Sequence, residues 1–363
     1  MSYAYLLQEV LNERVDWRLE CSRKEGLIIP AAEFERTEFV KHPYLWYYFF
    51  RVILHDPITE TFHISGIRPS PLTPEYHYHV LTDFKKARLV GNVEKEDLEN
   101  RKFSVAEIFR PDRKRQEGKV IGFAVHAHCW LLVDQVIGHN IVERNLRAFT
   151  ESVRRFWRSH YDGLVKNALP PHSYDCCIEY NLNNLYPTKI VREYNPWWTW
   201  GVHIQRSHRP GNPFRIPEIQ QLIAKVTKCP SGKKGLRPGR YLPPISDLPL
   251  DIALNIMDYI YADRPLCWER LDDVRNSLEV LQWKLPVSYW VPRCNSDIFF
   301  EVDTLVKAGH EVDWEALCLG MEELVLDREW CCTSGLNYRC LVLNILRDLH
   351  EELVLKLCHN AHG

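Results

Sequence analysis

No apolar run in this chain is long enough to cross a membrane. The longest, Tyr44-Leu45-Trp46-Tyr47-Tyr48-Phe49-Phe50, is closed by Arg51 and resumes as Val52-Ile53-Leu54. A helical span takes about 20 apolar residues, so this run reads as a buried strand and no membrane partner is expected. The opening residues, Met1 to Val10, have neither a basic n-region nor a long apolar h-region, so no secretory leader is expected. Surplus charge is missing too. A net charge of −2 and a pI near 6.8 leave no global field to draw the protein to nucleic acid or anionic lipid. Although there are 12 cysteines, no C-x-x-C occurs, and two pairs are adjacent (Cys176-Cys177 and Cys331-Cys332). In a chain of this size they read as reduced thiols packed as small hydrophobes, which places the protein in the cytoplasm or nucleus. Gly-x-Ser-x-Gly, Walker and His-Glu-x-x-His signatures are all absent, and Ser231-Gly232-Lys233-Lys234-Gly235 lacks the Walker spacing. No enzyme activity and no cofactor are expected. Tandem repeats of leucine-rich, WD or kelch type are lacking as well.

What the chain does contain is enough apolar material for two or three domains. It has 363 residues, 45% of them hydrophobic, with 12 Trp, 17 Tyr and 14 Phe. That aromatic surplus suits a packed core or a protein-binding surface. The pattern predicts an α+β protein: a mixed amino-terminal domain with a short-stranded sheet and helices, then an all-helical remainder. Tyr47 to Leu54, Thr61 to Ile67, Glu75 to Leu81 and Lys119 to Phe123 read as strands, with His55-Asp56-Pro57 as a break. The charged stretch from Lys85 to Gly118 reads as an exposed loop. A helix is predicted from about His126 to Gly138, and a basic amphipathic one from Val142 to Trp157. Residues 169–215 are rich in Pro, Asn and Trp and read as irregular chain. A short helix over Ile216 to Val226 follows, and then a linker, Lys228 to Arg240, in which Gly, Pro and like charges resist packing. Further on, Trp314 to Leu326 and Tyr338 to Leu357 are helical. In the last of these Leu341, Ile345, Leu349, Leu353 and Leu357 form a core-facing stripe.

The most informative stretch runs from Leu248 to Ile260: Leu248-Pro249-Leu250-Asp251-Ile252-Ala253-Leu254-Asn255-Ile256-Met257-Asp258-Tyr259-Ile260. Proline suits the first helical position, where its missing N–H has no intrahelical partner. Asp251 lies where the helix dipole favours a negative charge. Ile252, Ile256 and Ile260, with Tyr259 beside them, share one narrow face that must dock against something.

This pattern resembles the opening of an F-box, the helical module that attaches substrate receptors to the adaptor of Skp–cullin–F-box ubiquitin ligases. Asp251 stands where glutamate is more usual, and Ile260 where leucine is commoner. Leu271, Val274, Leu278 and Trp283 resemble the later helices, without the usual serine-lysine or cysteine-lysine step before the tryptophan. Leu281 to Trp290 (Leu-Gln-Trp-Lys-Leu-Pro-Val-Ser-Tyr-Trp) is similar to a variant in fungal F-box-like proteins. So are Gly122-Phe123-Ala124-Val125-His126-Ala127-His128-Cys129-Trp130 and Asn212 to Gln220. The resemblance implies four parts: an α+β domain over 1–215, a helix and basic linker over 216–245, an F-box-like module over 246–290, and carboxy-terminal helices over 291–363. It also implies adaptor contacts at Leu248, Pro249, Ile252, Ile256 and Ile260, a cullin reached through the adaptor, and a client protein of unknown identity. The other reading from the same residues is a non-catalytic scaffold whose F-box-like helices only pack internally.

Two other chemistries compete with this reading. His77 and His79 flank Tyr78, while His126, His128 and Cys129 lie within four residues, and His203 and His208 come later. Structural zinc needs four ligands at recognisable spacing, so no metal is expected, and His126 and Cys129 are expected to pack and cap the strand-to-helix junction. Lys225, Lys228, Lys233, Lys234, Arg237 and Arg240 form a local basic run, which reads as a solvated linker rather than a nucleic-acid site.

Overall fold

The computed structural model describes residues 27–37, 39, 46, 49–69, 77–89, 100, 102–109, 117–166, 211–228, 248–327, 330–331 and 334–361. The expected linker beyond Lys228, nearly all of the irregular 169–215 stretch and residues 246–247 of the expected 246–290 module lie outside them. The protein is α+β, as its patterning predicts. Its described residues fall into two compact units. One holds the chain up to Lys166 with Gly211–Arg215 and the chain from Leu341 onward; the other holds Ile216–Cys340 within the described residues.

The first unit is built on a mixed sheet of six strands: β2 (Phe49–Asp56), β3 (Thr61–Ile64), β4 (Arg68–Pro69), β5 (His77–Leu81), β7 (Phe103–Ile108) and β8 (Ile121–His126). Their order is β3-β2-β8-β7-β5, with β4 also on β2, and only the β7–β8 pair is parallel. A separate two-stranded ribbon joins β1 (Ile28–Pro30) to β6 (Lys86–Arg88), and the short helix α1 (Ala31–Glu35) follows β1. Phe49 to Leu54 are all buried, so β2 is covered on both faces. Arg51 is tolerated there because its guanidinium donates to Ser65 O (3.1 Å), Phe84 O (2.7 Å) and Glu35 Oε1 (2.7 Å). Gly122 faces Val52, Ile108 and Ala106 where the strands approach closely; a Cβ there would lie 2.7 Å from Val52 Cγ1.

β8 leads directly into α2 (Ala127–Val136), whose end is closed by Gly138 at φ +91, its N–H donating to Val133 O. Trp46, Phe50 and His126 cluster at this junction, and Phe34 and Phe39 pack on His128. Cys129 Sγ lies 3.9 Å from His126 Nδ1. The expected packing role is therefore present. The expected cap is not: no side chain caps α2.

Three further expectations are corrected. The Lys85–Gly118 stretch contains β6 and β7, whose small and apolar residues Ala87, Phe103 and Ala106 are buried between charged neighbours. His55 and Asp56 end β2 rather than breaking it, and the turn follows them. The basic helix is two helices, α3 (His139–Arg144) and α4 (Leu146–Lys166). The chain bends at Asn145, whose Nδ2 donates to Ile141 O at 2.8 Å.

The second unit is all helical: α5 (Pro217–Lys228), α6 (Leu250–Asp263), α7 (Trp268–Leu281), α8 (Val287–Trp290), a 3-10 turn (Val291–Cys294), α9 (Glu301–Ala308) and α10 (Trp314–Leu326). The final helix, α11 (Leu336–Ala361), begins in this unit and continues in the other. Residues 291–340 group with the helices of 250–290, and the end of α11 with the sheet unit, where Leu341, Leu349 and Leu353 are buried. Within one uninterrupted helix no turn residue marks that boundary, so a reading by composition passes over it.

Candidate functional site

The Leu248-Pro249 turn sets up α6. Pro249 takes φ −53 and ψ 146, outside the helix, and its carbonyl accepts the N–H groups of Ile252 (3.0 Å) and Ala253 (3.1 Å). Proline therefore serves as the N-cap rather than as the first helical residue, one position earlier than predicted. The acid expected in the first turn, Asp251, is there.

The helix does not bury the stripe its isoleucines suggest. Its fully buried residues are Ala253 and Met257. Leu254, Ile256, Ile260 and Tyr261 are half-buried around them, packed on the core of the unit. On the opposite flank Ile252 is 40% exposed and Tyr259 71%, while Leu250 is exposed in the first turn above Met257. At 3.6 residues per turn, Ile252, Ile256 and Tyr259 form one lateral ridge. Of the five residues singled out from the sequence, Pro249 and Ile252 face solvent, while Leu248, Ile256 and Ile260 rest partly on their own domain.

The following helices hold α6 in place. Cys267 Sγ accepts Arg270 N–H at the start of α7 (3.5 Å), and Gln282 ends it in the left-handed region. Leu271, Val274, Leu278 and Trp283 are all buried, as is Trp290. Leu222 of α5 packs over Gly320 of α10, where a Cβ would approach it to 2.7 Å. A bidentate pair locks the far side: Arg339 Nη1 and Nη2 donate to Glu301 Oε2 and Oε1 at 2.9 and 2.8 Å.

A polar group that no sequence motif announces lies against the inner side of α6. Arg270 Nη2 donates to Glu322 Oε1 (3.2 Å), and Arg293 Nη2 to Asp258 Oδ1 (2.5 Å). The Tyr261 ring lies between the two guanidiniums, 5.0 Å from that of Arg270 and 5.5 Å from that of Arg293. Burial pushes up the Tyr261 and Tyr289 hydroxyls and, outweighing Arg270, the Glu322 carboxyl. Arg270 and Glu322 stand 52 positions apart in the chain, so only the fold brings them together.

Among the described residues no three His, Cys, Asp or Glu side chains converge as a metal-binding group. Burial instead lowers His126 and His128 to about 3 and pushes the Cys129 thiol up, so all three side chains are neutral at physiological pH. No helix among the described residues is long and apolar enough to cross a membrane. Searches against protein-family models, curated proteins and solved structures find no match to this chain.

Proposed function

We propose that the helical unit is an F-box-like module that docks a Skp-type adaptor through the flank of α6, and that the protein is a substrate receptor of a cullin-based ubiquitin ligase. The observation that carries this reading is the lateral apolar ridge: Ile252 and Tyr259 are exposed on a helix whose other side is already packed on its own core. The Leu-Pro turn and the order of buried residues Leu271, Val274, Leu278 and Trp283 support it. In this reading the chain has no active site of its own and works in the cytoplasm or nucleus. Its contribution is proximity, raising the effective concentration of a client lysine beside a ubiquitin-charged enzyme.

One observation favours the other reading, a scaffold in which these helices only pack internally: Leu248, Ile256 and Ile260 already lean on the unit's own core. A single substitution separates the two. Ile252→Asp puts a charge on the exposed part of the ridge without touching the core. Co-expressed with a fungal Skp-type adaptor, the wild-type chain should co-purify with it and Ile252→Asp should not, with far-UV circular dichroism unchanged. A wild-type chain that retains no adaptor at micromolar concentration refutes the docking proposal.

A further inference from the structure

The Arg270–Arg293 group borders a cavity of about 250 Å³ in the helical unit, between the α6–α7 turn, the 3-10 turn at Cys294 and α10. Arg270, Arg293 and Glu322 supply its charge, while Phe299, Met321 and Cys318 supply apolar wall. In the lining itself two guanidiniums face one carboxylate, Glu322. Asp258, outside the lining, pairs with Arg293 at 2.5 Å, so each guanidinium already has one carboxylate partner and the group as a whole is charge-balanced.

Neither fork is saturated. A guanidinium carries five N–H groups in one plane. Arg270 places two hydrogen bonds, to Arg264 O and Glu322, and its buried Nε has no acceptor among the described residues. Arg293 likewise places two, to Tyr289 O (2.7 Å) and Asp258. Both are held by aromatic stacking, Arg293 at 3.6 Å over the Tyr289 ring, so their orientation is fixed before any ligand arrives.

We propose that this cavity binds a small monocarboxylate with an apolar body, its carboxylate taken by Arg293 and Arg270 and its body laid against Phe299 and Met321. Fixed planar donors match a carboxylate edge better than a point charge would. The apolar wall and the lack of surplus positive charge disfavour a dianion such as phosphate. The volume lies just below that of typical drug-sized sites, which sets the ligand at roughly ten heavy atoms. This proposal does not rest on adaptor docking and is tested apart from it.

The chain has three methionines, so methyl-labelled methionine gives a sparse spectrum in which Met321 is assigned through Met321→Leu. Titrating the full chain with benzoate or hexanoate should shift the Met321 methyl, with a Kd in the range of about 1 mM or tighter. Benzyl alcohol and benzylamine should not shift it. Arg293→Lys, which keeps the charge and loses the fork, should weaken benzoate about tenfold. Asp258→Asn, which removes a competing carboxylate, should tighten it. An unmoved Met321 methyl at about 10 mM benzoate, equal affinity in Arg293→Lys, or inorganic phosphate binding as tightly as benzoate would each overturn the assignment.

Discussion

At Gly122 the sheet has no room for a single added atom. An alanine Cβ would meet Val52 Cγ1 at 2.7 Å, Ile108 Cδ1 at 3.0 Å and Ala106 Cβ at 3.3 Å, against about 3.5–4.0 Å for ordinary carbon contacts. The neighbours have little room to retreat. β2 is paired to β8 through Leu54↔Gly122, and β7 holds β8 from the other side through Ile108↔Gly122. Overpacking of this kind costs about 1–3 kcal/mol, reduced by about 0.4–1 kcal/mol because alanine restricts the unfolded chain. A net loss of about 1–2 kcal/mol is expected for Gly122→Ala. Val52→Ala alone should cost a similar amount or more, by leaving a void among Leu54, Val80 and Ala106. The double variant should lose less than the sum, because the atom in closest conflict is gone, with a favourable coupling of about 0.5–3 kcal/mol. Amide hydrogen exchange read by mass spectrometry over β2 and β8 isolates this unit from the helical one. Strictly additive losses, or unchanged protection in Gly122→Ala, would refute the argument.

Acid should unfold the sheet unit early, because His126 and His128 are buried as neutral rings with folded values of about 3 against an ordinary 6.5. Between those limits the unfolded chain binds more protons, so stability is fully present above about pH 6.5 and falls as pH drops toward 3, by about 1.4 kcal/mol per pH unit for each ring. His128→Phe should flatten that dependence in exchange protection of β8 and α2; an unchanged slope would count against it. In the helical unit, Glu301→Gln strands the fully buried Arg339 beside a neutral amide and should destabilise it by about 3 kcal/mol. The paired Glu301→Leu, Arg339→Met change should recover most of that loss in urea unfolding.

How much of this was legible from the sequence follows the strength of the local signal. Trp314 to Leu326 is a helix with the same bounds read from its periodicity, and β8 hands over to α2 at His126 as the pattern indicates. β6 and β7 were missed because charged residues around Lys86 and Glu107 hide short strands whose inward positions are mostly alanine and phenylalanine. Alanine carries little hydrophobic signal but fits where strands approach closely, so composition misleads there. The Arg270–Glu322 and Arg293–Asp258 pairs had no signal at all. Charges at ordinary helix spacing look solvated until tertiary packing pairs them, as it does for both, and buries them, as it does for Arg270 and Glu322.

The helix after Pro249 is the most instructive case, because it carries two apolar stripes and a single period cannot rank them. Ile252, Ile256 and Ile260 stand out by bulk, yet the residues that reach the core are Ala253 and Met257. The small alanine lets α6 sit close, and the flexible methionine fills the gap beneath it. Close approach along that line leaves the isoleucines on the shoulder: Ile260 and Ile256 graze the core and Ile252 clears it. A helix that needed only to stabilise its own domain would do so with Ala253, Met257 and their half-buried neighbours. Ile252 and Tyr259 add little to that core. Large apolar side chains left over on one shoulder, aligned along the helix and clear of the unit's own packing, are what a surface made for another chain requires.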